Sequence, residues 1–151
     1  MNASLLFLSL CLFFSPAPET EVPTSQEVAD ILQATFTHTD ISNELIHIPR
    51  FQKGPVHLYM IQNEFTSDIT QVALNSATLV VHPEPQLVQK RISQYCDIES
   101  LDFSRTTASL NFVYRSGTPY QSSQVLYSAK VNLVFRDGKW IASRIKAENP
   151  E

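Results

Sequence analysis

Glycine is scarce in this chain, with only 3 among 151 residues. A loop that cradles phosphates needs several glycines close together, so nucleotide sites of that kind are excluded. Cysteine is scarcer still, at 2. Cys11 lies in an apolar N-terminal run, and removal of that run leaves Cys96 alone, with no intrachain disulfide to form. A dense basic footprint is missing too. Lys90-Arg91 is the one adjacent basic pair, so nucleic-acid binding is not expected. His38, His47, His57 and His82 include no i, i+4 pair and no cysteine at metal-ligand spacing, so no metal site is expected. There is no Gly-x-Ser-x-Gly elbow for a serine nucleophile. No cofactor-binding pattern is present, and no apolar run is long enough for a stable membrane span.

What is there suits one globular domain with a real core: 43% of the residues are hydrophobic and 17% charged. The net charge of −4 is unevenly spread. Acids dominate from Glu19 to Asp68, where Arg50 and Lys53 are the only bases, while bases outnumber acids from Glu84 onward. Solvated faces of a sheet account for the latter.

Leu5 to Phe14 is apolar, interrupted only by Ser9 and Cys11, and Ser15-Pro16-Ala17 supplies small residues for a signal peptidase. Residues 1–17 are therefore expected to be a signal peptide, 18–23 a linker and 24–149 a single extracellular domain. Leu8-Ser9-Leu10-Cys11 only vaguely matches a lipidation box, since Leu10 is too large for its position.

Thr24-Ser25-Gln26-Glu27 has the form of a capping box. Val28, Ile31, Leu32, Thr35 and Phe36 follow at the spacing of one helix face. Asp40 caps a short helix through Leu45 and Ile46. Val56 to Ile61 reads as a strand with Val56, Leu58 and Met60 on one side and His57, Tyr59 and Ile61 on the other. Asp68 to Leu74 fits a helical turn or a strand, and Thr78 to Val81 is a short apolar strand. His82-Pro83-Glu84-Pro85 starts another helix, whose buried face is expected to carry Leu87, Val88, Ile92, Tyr95 and Cys96. The remainder is a meander. Ala108, Leu110, Phe112 and Tyr114 alternate with polar residues, as do Val125, Tyr127, Ala129, Val131, Leu133 and Phe135. Asp137-Gly138 then turns the chain into Lys139 to Ala147, the signature of a type I′ hairpin.

The capped helix, mixed middle and closing run Phe135-Arg136-Asp137-Gly138-Lys139-Trp140-Ile141 together resemble the nuclear transport factor 2-like (cystatin-like cone) superfamily, and most of all its small secreted nematode members. The resemblance implies an α+β fold: an N-terminal helix packed in a strongly curved antiparallel sheet that forms a cone with a pocket. Acid–base enzymes of the superfamily use an Asp or His with a Tyr in that cone. Here no Asp or Glu lies between Arg105 and Arg136, so the usual carboxylate is not evident, and Glu64, Asp68 or His57 would have to replace it. No catalytic residue is assigned. Tyr114 and Tyr127, with His57 or Tyr59 from the middle strand, are the expected ligand-lining residues. Each is weighed against simple core packing with the hydroxyl at an edge. Cys96 is expected to pack rather than react.

Three readings follow. The first is a secreted non-enzymatic domain that binds an apolar small ligand or a protein partner through its cone or sheet face. The second is an acid–base lyase or isomerase using the cone. The third is a structural domain that forms a homodimer through the sheet.

Overall fold

The computed structural model describes residues 21–46 and 55–148. The expected signal peptide, residues 18–20 of the linker, and His47 lie outside the described residues. The architecture is α+β, with N-terminal helices packed against a strongly curled seven-stranded sheet that forms a half-barrel. No helix among the described residues is long and apolar enough to cross a membrane.

Helix α1 spans Ser25–Phe36 and begins as expected. The Thr24 side chain accepts from the Glu27 backbone N–H at 3.2 Å, and Glu27 Oε2 accepts from the Thr24 backbone N–H at 2.8 Å. Such a cap is worth about 1 kcal/mol. Burial of Val28, Ile31, Leu32 and Phe36 is worth about 1.5–3 kcal/mol each, so packing rather than capping holds the helix in place. Its apolar face fills the concavity of the sheet, where the Phe36 ring lies 4.9 Å from that of Phe112. Helix α2, Thr39–Ile46, adds Ile41 and Leu45 to the same core.

The strands are β1 Val56–Ile61, β2 Gln71–Ala73, β3 Ala77–His82, β4 Gln94–Phe103, β5 Thr107–Ser116, β6 Gln124–Arg136 and β7 Lys139–Glu148, in the order β2-β3-β1-β4-β5-β6-β7. The sheet is mixed rather than wholly antiparallel. β2 forms a hairpin with β3 on the far edge, and this leaves β3 parallel to β1 across six paired positions. β1 is also parallel to β4. The half from β4 to β7 is the expected antiparallel meander.

Three irregularities of register interrupt that meander, between Ile98 and Ser100, at Tyr114/Arg115 and at Asn132/Leu133. A bulge adds a residue to one strand, bends it and increases its twist. It also reverses the alternation. Cys96 and Ile98 face the core before the first bulge, and Leu101 and Phe103 do so after it.

Helix α3 is shorter than the apolar spacing suggests. It spans Glu84–Gln89, and Tyr95 and Cys96 belong instead to β4. Arg91 ends it in the left-handed conformation, at φ 55°. The N–H of Ile92 donates to Leu87 O at 2.9 Å and that of Arg91 to Val88 O at 3.0 Å, which is a Schellman ending. Leu87, Tyr95 and Ile61 then form a second small core on the convex side of the sheet, with Tyr59 and Ile92 against it.

The β6–β7 turn places both Asp137 and Gly138 at positive φ, 53° and 77°. A Cβ on Gly138 would meet nothing within 4 Å, so any penalty there is backbone strain alone. Gly138→Val should therefore lower stability by about 1–3 kcal/mol. Arg91→Gly should raise it by about 0.5–1 kcal/mol, because glycine adopts the left-handed region without a Cβ penalty. Urea denaturation of the two variants checks both signs. A second pair tests the facing of β6. Leu133 is buried in the core, so Leu133→Asp should leave no folded protein. Asn132 lies opposite Arg144 and its Oδ1 accepts from Ser109, so Asn132→Asp should stay within about 0.5 kcal/mol of the parent. Equal losses would mean that both faces of β6 are buried.

Candidate functional site

The four expected ligand-lining residues fall into two pairs on opposite faces of the sheet. β1 turns Leu58 and Met60 toward the helices, so His57 and Tyr59 point to the convex side. There they continue into a row of rings. His57 meets Tyr59 edge-on at 6.2 Å, and Tyr59 stacks on His82 of β3 at 6.1 Å with 21° between the planes. The row ends at Lys90, whose Nζ lies 3.2 Å from His82 Nε2. Burial, and then the Lys90 charge, lower the His82 pKa, against a hydrogen bond to the Gln86 side chain. His82 is therefore neutral at physiological pH, with Nε2 as acceptor for the ammonium.

Tyr114 and Tyr127 are cross-strand partners on the concave face, each about 4% exposed. The Tyr114 hydroxyl donates to Gln94 Oε1 at 3.2 Å. Burial, then Cys96, push its pKa up to about 12. Tyr127 packs its ring 6.0 Å from that of Phe112, and its buried hydroxyl has no hydrogen-bond partner among the described residues. Burial, followed by Glu44 and Asp40, raises its pKa. Both rings are core residues, as their alternation suggests. The space they face is filled by Ile31, Leu32, Phe36 and Ile41. Only at the rim does Tyr127 border a cleft, of about 410 Å³.

Sequence reasoning missed Asp97. Placing Tyr95 and Cys96 on a helix hid the alternation of a strand in which Cys96 and Ile98 face the core and Tyr95 and Asp97 face out. Tyr95-x-Asp97-x-Glu99 against Cys96-x-Ile98 was the available signal. Asp97 is only 9% exposed. Its Oδ2 stands 3.9 Å from Arg115 Nε on β5, and Arg115 also reaches Glu99 at 3.5 Å. Beside it, the Tyr95 hydroxyl is buried without a partner among the described residues. Burial raises the Asp97 pKa, and Glu99 adds to the shift, whereas Arg115 and an Asn63 hydrogen bond oppose it.

This near-buried carboxylate lies on the convex face, outside the concavity in which acid–base chemistry was expected. Cys96 is fully buried, and its thiol pKa is pushed far up by that burial and by Asp97, so the thiolate is not available as a nucleophile. Among the described residues no three His, Cys, Asp or Glu side chains gather as metal ligands.

A raised carboxyl pKa means that folded Asp97 keeps its proton to a higher pH than unfolded Asp97. The stability it contributes is complete below about pH 3.9, the unfolded value, and is lost as pH rises through the folded value. Asp97→Asn should therefore be more stable than the parent at pH 7, and the two should converge as pH falls through the carboxylate range. Melting curves at several pH values check this. A less stable variant at pH 7 would show that the Arg115 ion pair outweighs the cost of burial. Compared with known protein families, curated proteins and solved structures, the chain matches none.

Proposed function

We propose that this chain is a secreted, non-enzymatic binding domain of the nuclear transport factor 2-like type, which holds a protein partner or apolar ligand on its sheet face rather than deep in its cone. One observation carries this reading: the concavity is occupied by the protein's own α1 and α2. Ile31, Leu32, Phe36 and Ile41 are buried to 1% exposure or less where a cone enzyme would seat its substrate. The convex row of His57, Tyr59 and His82 supplies what a binding surface needs. Its rings are stiff, with His57 exposed and Tyr59 and His82 partly so, and Lys90 adds a charge at one end. Such rings bury much area at little cost in side-chain entropy. The apolar run from Leu5 to Phe14, followed by Ser15-Pro16-Ala17, supports export.

Native mass spectrometry of the protein collected from culture medium tests the whole reading at once. The expected mass begins after Ala17 and is accompanied by a bound ligand or protein. That companion should be lost in the double variant His57→Ala/Tyr59→Ala and kept in Tyr114→Phe. A bare homodimer would favour the structural alternative. Turnover of a ketosteroid-like substrate that disappears on changing one acid would overturn the non-enzymatic reading.

A further inference from the structure

The convex face of the β6–β7 hairpin carries most of the positive charge of the meander. The paired register sets Lys130 opposite Lys146, Asn132 opposite Arg144, Val134 opposite Ile141 and Arg136 opposite Lys139. Val131 and Leu133, which alternate with these residues on β6, are buried in the core, so the row points to the other side. Lys130, Arg136, Lys139, Arg144 and Lys146 are all exposed. The acids of the two strands and their turn are Asp137 and Glu148. Glu148 holds Lys146 at 3.1 Å, and Glu99 of β4 shares a small cleft with Lys130. Among the described residues, Lys130, Arg136, Lys139 and Arg144 form no ion pair.

A solvated sheet face needs charge, but not charge of one sign. Two like-charged pairs face each other here, Lys130 with Lys146 and Arg136 with Lys139, and such pairs weaken a hairpin. A bound anion turns both repulsions into attractions. From Lys130 to Arg136 the row runs about 20 Å along the strand, so its complement is an extended polyanion rather than a single ion.

The surface beside the row indicates which polyanion. A groove of about 460 Å³ is lined by Asp102, Ser109, Asn132 and Ser143. Asn132 lies opposite Arg144, and Ser143 precedes it in the chain, so groove and row adjoin. Hydroxyl, amide and carboxylate groups both donate to and accept from the hydroxyls of a sugar. A nucleic-acid strand would want aromatic platforms for its bases, and the apolar members of the row are Val134 and Ile141. A flat anionic bilayer would touch only part of a row on the outside of a strongly curled sheet.

We propose that this face binds a linear sulfated polysaccharide, with its sulfates along Lys130, Arg144, Arg136 and Lys139 and its sugar hydroxyls in the groove beside Asn132. The two arginines offer forked N–H pairs to an oxyanion, and the lysines act as point charges. Asp102 faces the sugar ring rather than the sulfates, as an acceptor for its hydroxyls. The site lies on other strands than the His57–Tyr59–His82 row and does not depend on what that row holds.

The test is a calorimetric titration of the exported protein with a heparin hexasaccharide. The comparison probes are its desulfated counterpart, inorganic polyphosphate of similar charge, single-stranded DNA and phosphatidylserine vesicles. Hexasaccharide affinity should fall on the order of 50-fold between about 50 and about 200 mM salt, as about four displaced counterions require. The desulfated sugar should not bind. Polyphosphate, which leaves the groove unused, should bind about five-fold more weakly. Lys130→Gln/Arg144→Gln should weaken hexasaccharide binding about ten-fold without lowering the melting temperature. Arg91→Gln removes a charge from another part of the surface and should leave binding within about two-fold. Failure of the hexasaccharide to bind would overturn the proposal, as would equal binding of the desulfated sugar. Polyphosphate, DNA or vesicles that bind as tightly as the hexasaccharide would overturn the polysaccharide assignment. Equal losses in the Lys130/Arg144 and Arg91 variants would show that net charge, not this row, attracts the ligand, and would overturn it too.

Discussion

The fit of one helix face into one concavity is the constraint on which the rest of the structure depends. Val28, Ile31, Leu32 and Phe36 of α1 have no water to face once the sheet has curled around them. The inner residues of β4 to β7, from Cys96 to Trp140, share one core with the buried faces of the helices. Four buried side chains of this size are worth several kcal/mol together, comparable with the entire net stability of a domain. The curl of the sheet and the seat of the helix are therefore one feature. A flat sheet would leave part of that surface in water.

The bulges reconcile curl with alternation. A strand of ten or thirteen residues that bends sharply would otherwise drift out of phase with its core. The extra residues near Glu99, Leu126 and Ser143 reset the facing, so that Leu101, Tyr127 and Ile145 each return to the core side. The outward positions are mostly polar, with Val113, Val134 and Ile141 as apolar exceptions. In the register of β6 and β7, Lys130 lies opposite Lys146 and Arg136 opposite Lys139. Like charges placed in this way weaken a pair slightly. They also discourage another chain from adding to the long exposed edge of β7.

The two faces of the sheet consequently have different chemistry. The convex face carries a stacked His57–Tyr59–His82 row and a carboxylate, Asp97, held beside Arg115 and the small core under α3. Inside the curve the lining is apolar, and its polar groups appear at the rim. Tyr114 is satisfied by Gln94, whereas Tyr127 meets the α2 acids with its hydroxyl still unpaired among the described residues. The filled interior separates these two surfaces.

Much of the fold was legible in the sequence, and the legible parts share a cause. The α1 cap, its apolar spacing and the Asp137-Gly138 hairpin are local signals, set by a hydrogen bond three residues away, a period of 3.6 or 2, and a turn that needs positive φ. The end of α3 was not legible, because its left-handed residue is Arg91 where glycine is usual. Leu87, Ile92 and Tyr95 do share one small core, but a turn and a strand bring them together rather than a continuous helix. Alternation in β1 separated His57 and Tyr59 from Leu58 and Met60, yet a period of two states neither which side is inward nor which way the strand runs. Pairing of β3 parallel to β1, and burial of Leu58 under the helices, decided both. The sequence by itself therefore determined the elements and their two-sidedness. Only long-range packing decided that the four expected ligand residues stand on opposite faces, and that Asp97 is the near-buried carboxylate beside Arg115.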